Sequence, residues 1–167
     1  IDKVLISHDH WDHTGGLNKL LEKKQYPKGT AKRNIKVHIC AGFSEELKEQ
    51  IVLRDGELIT VQPFDIIAEH IFTTGEMLGN HKGKYIAEKS LVIKTEQGII
   101  IIAGCSHQGV LQIVETVKEK FPQDSIQLMF GGFHLIEKDM REVKIIVEQV
   151  KEMGVKTVGP THCTGYD

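Results

Sequence analysis

The sequence is poor in cysteine, proline and tryptophan, and it has almost no net charge. Its three cysteines, Cys40, Cys105 and Cys163, are odd in number and far apart. That argues against a disulfide framework and for a reducing, cytoplasmic setting. A formal charge of -2 gives no global basic field to hold nucleic acid or an anionic membrane. No apolar run approaches the roughly 20 residues of a spanning helix. The longest, Ile99 to Ala103, suits a buried strand. No Pro/Ser-rich linker, repeat or low-complexity tract divides the chain. With 167 residues it reads as one domain, residues 1–167, large enough to bury a core.

Histidine, by contrast, is plentiful: there are nine. The run Ser7-His8-Asp9-His10-Trp11-Asp12-His13-Thr14-Gly15-Gly16 follows the apolar Val4-Leu5-Ile6. His8 and His10, two apart in extended chain, point to the same side and can grip one ion. Asp12 and His13 follow once the chain has turned, so they can reach a second ion. Imidazole suits zinc, iron, manganese or nickel, and a carboxylate adds a hard oxygen. A catalytic zinc usually needs three protein ligands, so the cluster needs partners from elsewhere.

The remaining chain supplies them. Asp2 to Ile6 reads as a strand, and Thr14 as the N-cap of a short helix bearing Leu17, Leu20 and Leu21. Tyr26 to Asn34 reads as an exposed loop. Ile35, Val37 and Ile39 mark a half-buried strand. Ser44 opens a helix along Phe43, Leu47 and Ile51. Asp55-Gly56 predicts a hairpin between Ile51–Leu53 and Leu58–Val61. A strand follows over Ala68–Thr74, then a polar loop over Met77–Lys89. Ser90–Thr95 and Gly98–Ala103 make a hairpin that runs into Gly104-Cys105-Ser106-His107. Val110 to Phe121 is a helix, and Ile126–Phe130 is a strand ending at Gly131-Gly132-Phe133-His134. Met140 to Val150 is a helix closed by Gly154, and Val155–Val158 a strand ending at Pro160-Thr161-His162-Cys163. An apolar strand thus runs four times into a histidine loop, at His8, His107, His134 and His162. Open α/β sheets place ligands just beyond the carboxyl ends of their strands. His107 and His162 are therefore the expected completions of the metal site.

His8-x-His10-x-Asp12-His13, with its leading strand and following Gly-Gly-Leu, resembles the signature of the metallo-β-lactamase superfamily. The resemblance implies an α/β fold, the αβ/βα sandwich, with metals at one edge. It places His8 and His10 on a first metal, Asp12 and His13 on a second, and His162 as the last metal histidine. The motifs around His107, His134 and His162 are similar to those of the dihydropterin-ribofuranosylaminobenzene 5'-phosphate synthase-like group, and this likeness covers nearly the whole chain. Cys105 stands where many members carry an aspartate that bridges two metals. Thr73-Thr74-Gly75-Glu76 stands where a further histidine is usual, which favours His107 for the first metal. Against the family pattern the N-terminal strands and the C-terminal end are expected to be missing. A homodimer or a partner chain would then cover the gap.

The expected cofactors are two zinc ions, with iron or manganese as alternatives. Two such ions lower the pKa of a shared water towards about 7 and present hydroxide to an electrophile. The expected function is a metal-dependent hydrolase of a phosphoester, lactone or similar small-molecule ester. Asp12 would be both ligand and proton acceptor, and His134 would contact phosphate or protonate the leaving group. The alternatives are a pterin-transferring synthase-like transferase and an iron-binding redox protein on the same fold. His81, Lys82 and Lys84 read chiefly as a solvated loop, His38 and His70 as structural or surface residues, and Trp11 as packing beside the site.

Overall fold

In a computed structural model of the chain, residues 1–22 and 34–165 are described. Most of the loop expected over Tyr26–Asn34 lies outside them. The elements in order are β1 (Lys3–Leu5), α1 (Trp11–Thr14), α2 (Leu17–Glu22), β2 (Lys36–Ile39), α3 (Glu45–Leu53), β3 (Glu57–Thr60), β4 (Ile66–Ala68) and β5 (Ile71–Thr73). They continue with β6 (Met77–His81), β7 (Lys84–Glu88), β8 (Leu91–Thr95), β9 (Gly98–Ala103), α4 (Val110–Lys120), β10 (Ile126–Gly132), α5 (Met140–Glu152) and β11 (Thr157–Thr161). A 3₁₀ turn over His162–Thr164 follows.

Three parallel strands form a small sheet in the order β1-β2-β3. Six strands form a large sheet in the order β11-β10-β9-β8-β5-β4, parallel through β9, β10 and β11 and antiparallel beyond. Each sheet carries its own helices, which is the αβ/βα arrangement. Leu17 and Leu21 of α2 and Leu47 and Ile51 of α3 pack on Val37 and Ile39 of the small sheet. Ile113, Val114 and Val117 of α4 and Val150 of α5 pack on Ile99, Ile101 and Met129 of the large one. Burial alternates along β9: Ile99 and Ile101 are sealed against the helices, while Ile100 and Ile102 on the other face are half-buried. Each fully buried side chain of this kind is worth about 1.5–3 kcal/mol.

Several local expectations change. Thr14 ends α1 instead of capping α2, and its hydroxyl donates back to the His10 carbonyl. β2 is buried on both faces rather than half-buried, because His38 as well as Val37 and Ile39 is covered. Ile51–Leu53 stays helical. The Ser44 hydroxyl accepts from Leu47 N–H, and the Phe43/Leu47/Ile51 stripe carries α3 through to Leu53. Asp55-Gly56 then closes the helix end, with Gly56 N–H donating to Ile51 O at 2.9 Å. β3 consequently pairs in parallel with β2, a connection that needs α3 as its crossover. The strand expected over Ala68–Thr74 is split, since β4 and β5 turn back on each other through Glu69 and His70.

The expected loop over Met77–Lys89 is largely a hairpin of β6 and β7. Its turn residues, Lys82 and Gly83, both have positive φ, +51° and +79°. That is the geometry of a two-residue hairpin turn, whose twist matches the strands. The hairpin brings Glu88 beside His8, where the two form an isolated antiparallel bridge. Among the described residues, no helix is long and apolar enough to cross a membrane.

Candidate metal centre

The three parallel strands of the large sheet deliver their carboxyl ends to one rim. β9 leads to Cys105–His107, β10 to His134 and β11 to His162. The His8 loop reaches the same rim from β1 of the small sheet. Ser106, His134 and His162 adopt left-handed backbone, with φ of +62°, +49° and +53°. Such non-glycine residues cost on the order of 1–3 kcal/mol each and persist where the surroundings hold them. Here the loops are tied together: Ser106 Oγ donates to Gly132 O at 2.7 Å, and Thr164 Oγ1 accepts from Phe133 N–H at 3.0 Å.

The result is a continuous chain of imidazoles. Ring centroids lie 4.7 Å apart for His8–His10, 4.8 Å for His8–His107, 4.0 Å for His8–His13 and 5.0 Å for His13–His162. His134 stands 4.6 Å from His107 and 5.2 Å from His81. Five groups of three have metal-ligand spacing, and two of them consist wholly of the residues expected from the sequence. His8, His10 and His107 offer donor atoms within 4.8 Å of one another, as do Asp12, His13 and His162. In the second group the edges are 3.2 Å for His13 Nε2–His162 Nε2, 3.3 Å for Asp12 Oδ2–His162 and 3.5 Å for Asp12 Oδ2–His13. Nitrogen or oxygen donors about 2.0–2.1 Å from a tetrahedral zinc lie about 3.3 Å from each other. The donor set therefore fits an ion at this spacing.

The electrostatics agree. Burial lowers His8 to about 3; the neighbouring histidines add to this, and the Glu88 carboxylate opposes it. His10 and His13 are likewise lowered, chiefly by burial. Neutral imidazoles keep the lone pair that a metal needs. Burial works against ionisation of Asp12, but a backbone hydrogen bond and the His13 and His162 rings outweigh it and hold the carboxyl below its usual range.

Glu88 is a buried residue behind the rim that reading the sequence missed. It is fully buried and accepts three backbone N–H bonds, from Cys105, Ser106 and His107, at 2.7–2.9 Å. It also takes His107 Nδ1 at 2.8 Å. Burial alone would raise its pKa, but these bonds and His8 draw it down to about 2. The signal was a charged pair, Glu88-Lys89, directly ahead of an apolar strand.

Every metal candidate from the sequence, His8, His10, Asp12, His13, His107 and His162, lies on this rim. His134 is adjacent. Asp9 turns away, and its carboxylate caps Ser44 N–H at 2.9 Å. Trp11 is 84% exposed and does not pack beside the site. His81, read as loop, joins the cluster at 5.3 Å from His107. A cavity of about 840 Å³ opens on the His107 side, lined by His81, Lys82, His134, Lys138, Leu111 and Ile146 among others.

Residues 1–85 match the model of the metallo-beta-lactamase superfamily. The chain belongs to this superfamily. A Methanocaldococcus jannaschii protein named 7,8-dihydropterin-6-methyl-4-(beta-D-ribofuranosyl)-aminobenzene-5'-phosphate synthase is 29% identical over 197 residues, covering 99% of this chain and 67% of its own length. An uncharacterized protein of the same organism is 27% identical, covering 99% of this chain and 70% of its own. The crystal structure of Tm1679, described as a metal-dependent hydrolase of the beta-lactamase superfamily, matches with a TM-score of 0.75 at 26% identity, over 98% of this chain and 69% of that one. The superfamily's fold implies bound metal ions, and the histidine and aspartate groups on this rim are the candidates to hold them.

Proposed function

We propose that the chain is a metal-dependent hydrolase of a small, phosphate-bearing ester. The observation that carries this is the meeting of two three-donor groups, His8/His10/His107 and Asp12/His13/His162, beside an open cavity. The first group would hold one ion and the second another, with zinc the best match to the nitrogen-rich donors. When bound, two ions supply Lewis acidity and an activated water at neutral pH.

The chain's own residues supply the rest. Glu88 fixes the ring of His107 and keeps its proton on Nδ1, so Nε2 is free for a ligand. Asp12, ionised and at the edge of the rim, can take a proton from the nucleophile. His134 lies on the cavity wall 4.6 Å from the His107 ring, placed to donate a proton to a departing oxygen. Lys82 with His81 stands on the metal side of the cavity as the cationic contact for a phosphoryl group. Glu115, Glu137 and Glu142, the last paired with Lys138 at 3.8 Å, line it as well and suit hydroxyl or amine groups of the substrate, and Leu111, Leu135 and Ile146 offer an apolar wall to its body.

A pterin transfer that expels diphosphate is the second reading. It is favoured by the likeness to the Methanocaldococcus jannaschii synthase along 99% of this chain. The same phosphate-binding wall would serve it. One experiment separates the two. Zinc-loaded protein is assayed with aryl phosphoesters, phosphodiesters and lactones, and in parallel with a pterin diphosphate plus an aminobenzene ribotide. Hydrolysis that is lost on chelation and in His8→Ala/His10→Ala supports the first reading. Condensation without hydrolysis supports the second. Unchanged metal stoichiometry in the double variant would overturn both.

A further inference from the structure

The Asp12/His13/His162 group has a neighbour made of sulfur. Cys105, His162 and Cys163 offer donor atoms that all lie within 4.8 Å of one another, the same limit met by the histidine triad. Cys105 Sγ is also 3.4 Å from His13 Nε2. A tetrahedral ion with metal–sulfur bonds of about 2.3 Å and metal–nitrogen bonds of about 2.0–2.1 Å sets sulfur and nitrogen ligands about 3.6 Å apart. Cys105 Sγ therefore stands at the spacing of a co-ligand of His13, and the Cys163 thiol and the His162 ring belong to the same cluster of donors.

The backbone is arranged to bring the sulfurs together. Glu88 holds the N–H of Cys105, and the Cys163 thiol donates to the Cys105 carbonyl at 3.6 Å. Thr164 Oγ1 bonds Phe133 N–H and Thr161 O, pinning the turn that carries Cys163 against the end of β10. Gly132 leaves the space: a Cβ there would stand 2.7 Å from Cys163 Sγ and 2.5 Å from Gly104 O. His162 holds a left-handed backbone between two donor sets, oxygen and nitrogen on one side and sulfur on the other.

We propose that Cys105, His162 and Cys163 form a thiophilic metal site, taking zinc, cadmium or cobalt(II) through two thiolates and one imidazole. Binding releases two thiol protons to solvent and forms two sulfur–metal bonds and one nitrogen–metal bond, which leaves the fourth position of a tetrahedral ion open. The inference rests on His162 as a metal ligand and goes further: the ion that His162 holds takes its other protein ligands from Cys105 and Cys163 in place of Asp12 and His13. It selects soft or borderline ions over manganese and magnesium, which prefer oxygen.

The test is cobalt(II) loading of the reduced protein, read by sulfur-to-cobalt charge-transfer absorption in the near ultraviolet. The wild type should show the band. Cys163→Ser should lose about half of it, and Cys105→Ser/Cys163→Ser all of it. Cys40→Ser, at a buried site away from the rim, should leave it unchanged. Circular dichroism and cobalt uptake by the His8/His10/His107 group verify that the variants fold. Cobalt bound without the band, a band indifferent to Cys163→Ser, or a band that follows Cys40 would overturn the sulfur site and leave the histidine assignment standing. No cobalt uptake at all would overturn both.

Discussion

Glu88 and His107 are joined twice: one oxygen, Glu88 Oε2, takes both the backbone N–H and the ring Nδ1 of His107, each at 2.8 Å. The carboxylate therefore sets both where the His107 loop sits and which ring nitrogen is left for a ligand. Its other oxygen holds the N–H groups of Cys105 and Ser106. Glu88→Gln keeps the size but has only one accepting oxygen. Its NH₂ would face N–H donors on one side or the other. Zinc affinity at the His8/His10/His107 group should fall 10–100-fold, the usual effect of removing a carboxylate behind a metal histidine. Calorimetric titration of zinc into the metal-free variant measures it. Unchanged affinity would remove Glu88 from the site.

Gly132 tests the packing of the same rim from the other side. A methyl group there meets Gly104 O, Cys163 Sγ and the Cys105 Cα at 2.5, 2.7 and 3.2 Å, and backbone atoms cannot rotate away. Gly132→Ala should therefore push the His162–Thr164 turn off Cys105. We expect destabilisation of about 1–3 kcal/mol, as for other overpacked sites. Metal stoichiometry should drop by one ion while the His8/His10/His107 group still loads. Urea unfolding and elemental analysis read the two effects separately.

How much of this was legible in the sequence depends on the distance over which each signal acts. The four histidine loops could be read because each follows an apolar strand directly, and parallel strands carry their ends to one edge. The helices α3 and α4 were legible from their apolar stripes, α3 also from its Ser44 cap. The β6–β7 hairpin was not, because Gly79, Asn80, Lys82, Gly83 and Lys84 look like loop and its two strands bury few side chains. Missing it concealed Glu88, whose role depends on a bridge to His8, 80 positions earlier in the chain. Asp55-Gly56 misled for a related reason. The dipeptide marks a tight turn but does not say whether a helix or a strand enters it. Only the buried Leu47 and Ile51 decide for the helix.

Trp11 separates motif from mechanism. It sits between His10 and Asp12, yet its side chain is 84% exposed at the start of α1. Trp11→Ala should leave stability within about 0.5 kcal/mol, as for surface substitutions that touch nothing buried. Zinc stoichiometry should also stay the same. A rise in KM without a fall in kcat would give the ring a role in holding substrate at the rim. A loss of metal would instead mean that the indole covers the ligands.

Lys89 should govern the alkaline stability of the protein. Its ammonium is buried 3.7 Å from Cys40 Sγ and 5.0 Å from the Phe43 ring centroid. Burial lowers Lys89 from 10.5 to about 8 and raises Cys40 from 9.0 to about 11. Between pH 8 and 9 the unfolded lysine keeps its proton while the folded one gives it up, so stability rises with pH, by about 1 kcal/mol over that unit. Around pH 9 the unfolded Cys40 thiol ionises before the folded one, which adds a slope of the opposite sign. The two slopes then oppose each other until the unfolded lysine deprotonates near 10.5, after which stability falls. Lys89→Met removes the first slope and leaves the second. Urea unfolding in the presence of chelator should show the wild type gaining stability from pH 8 to 9, with the variant losing a little there and more above 9. A wild type that gains nothing between pH 8 and 9 would mean that the buried lysine keeps its charge.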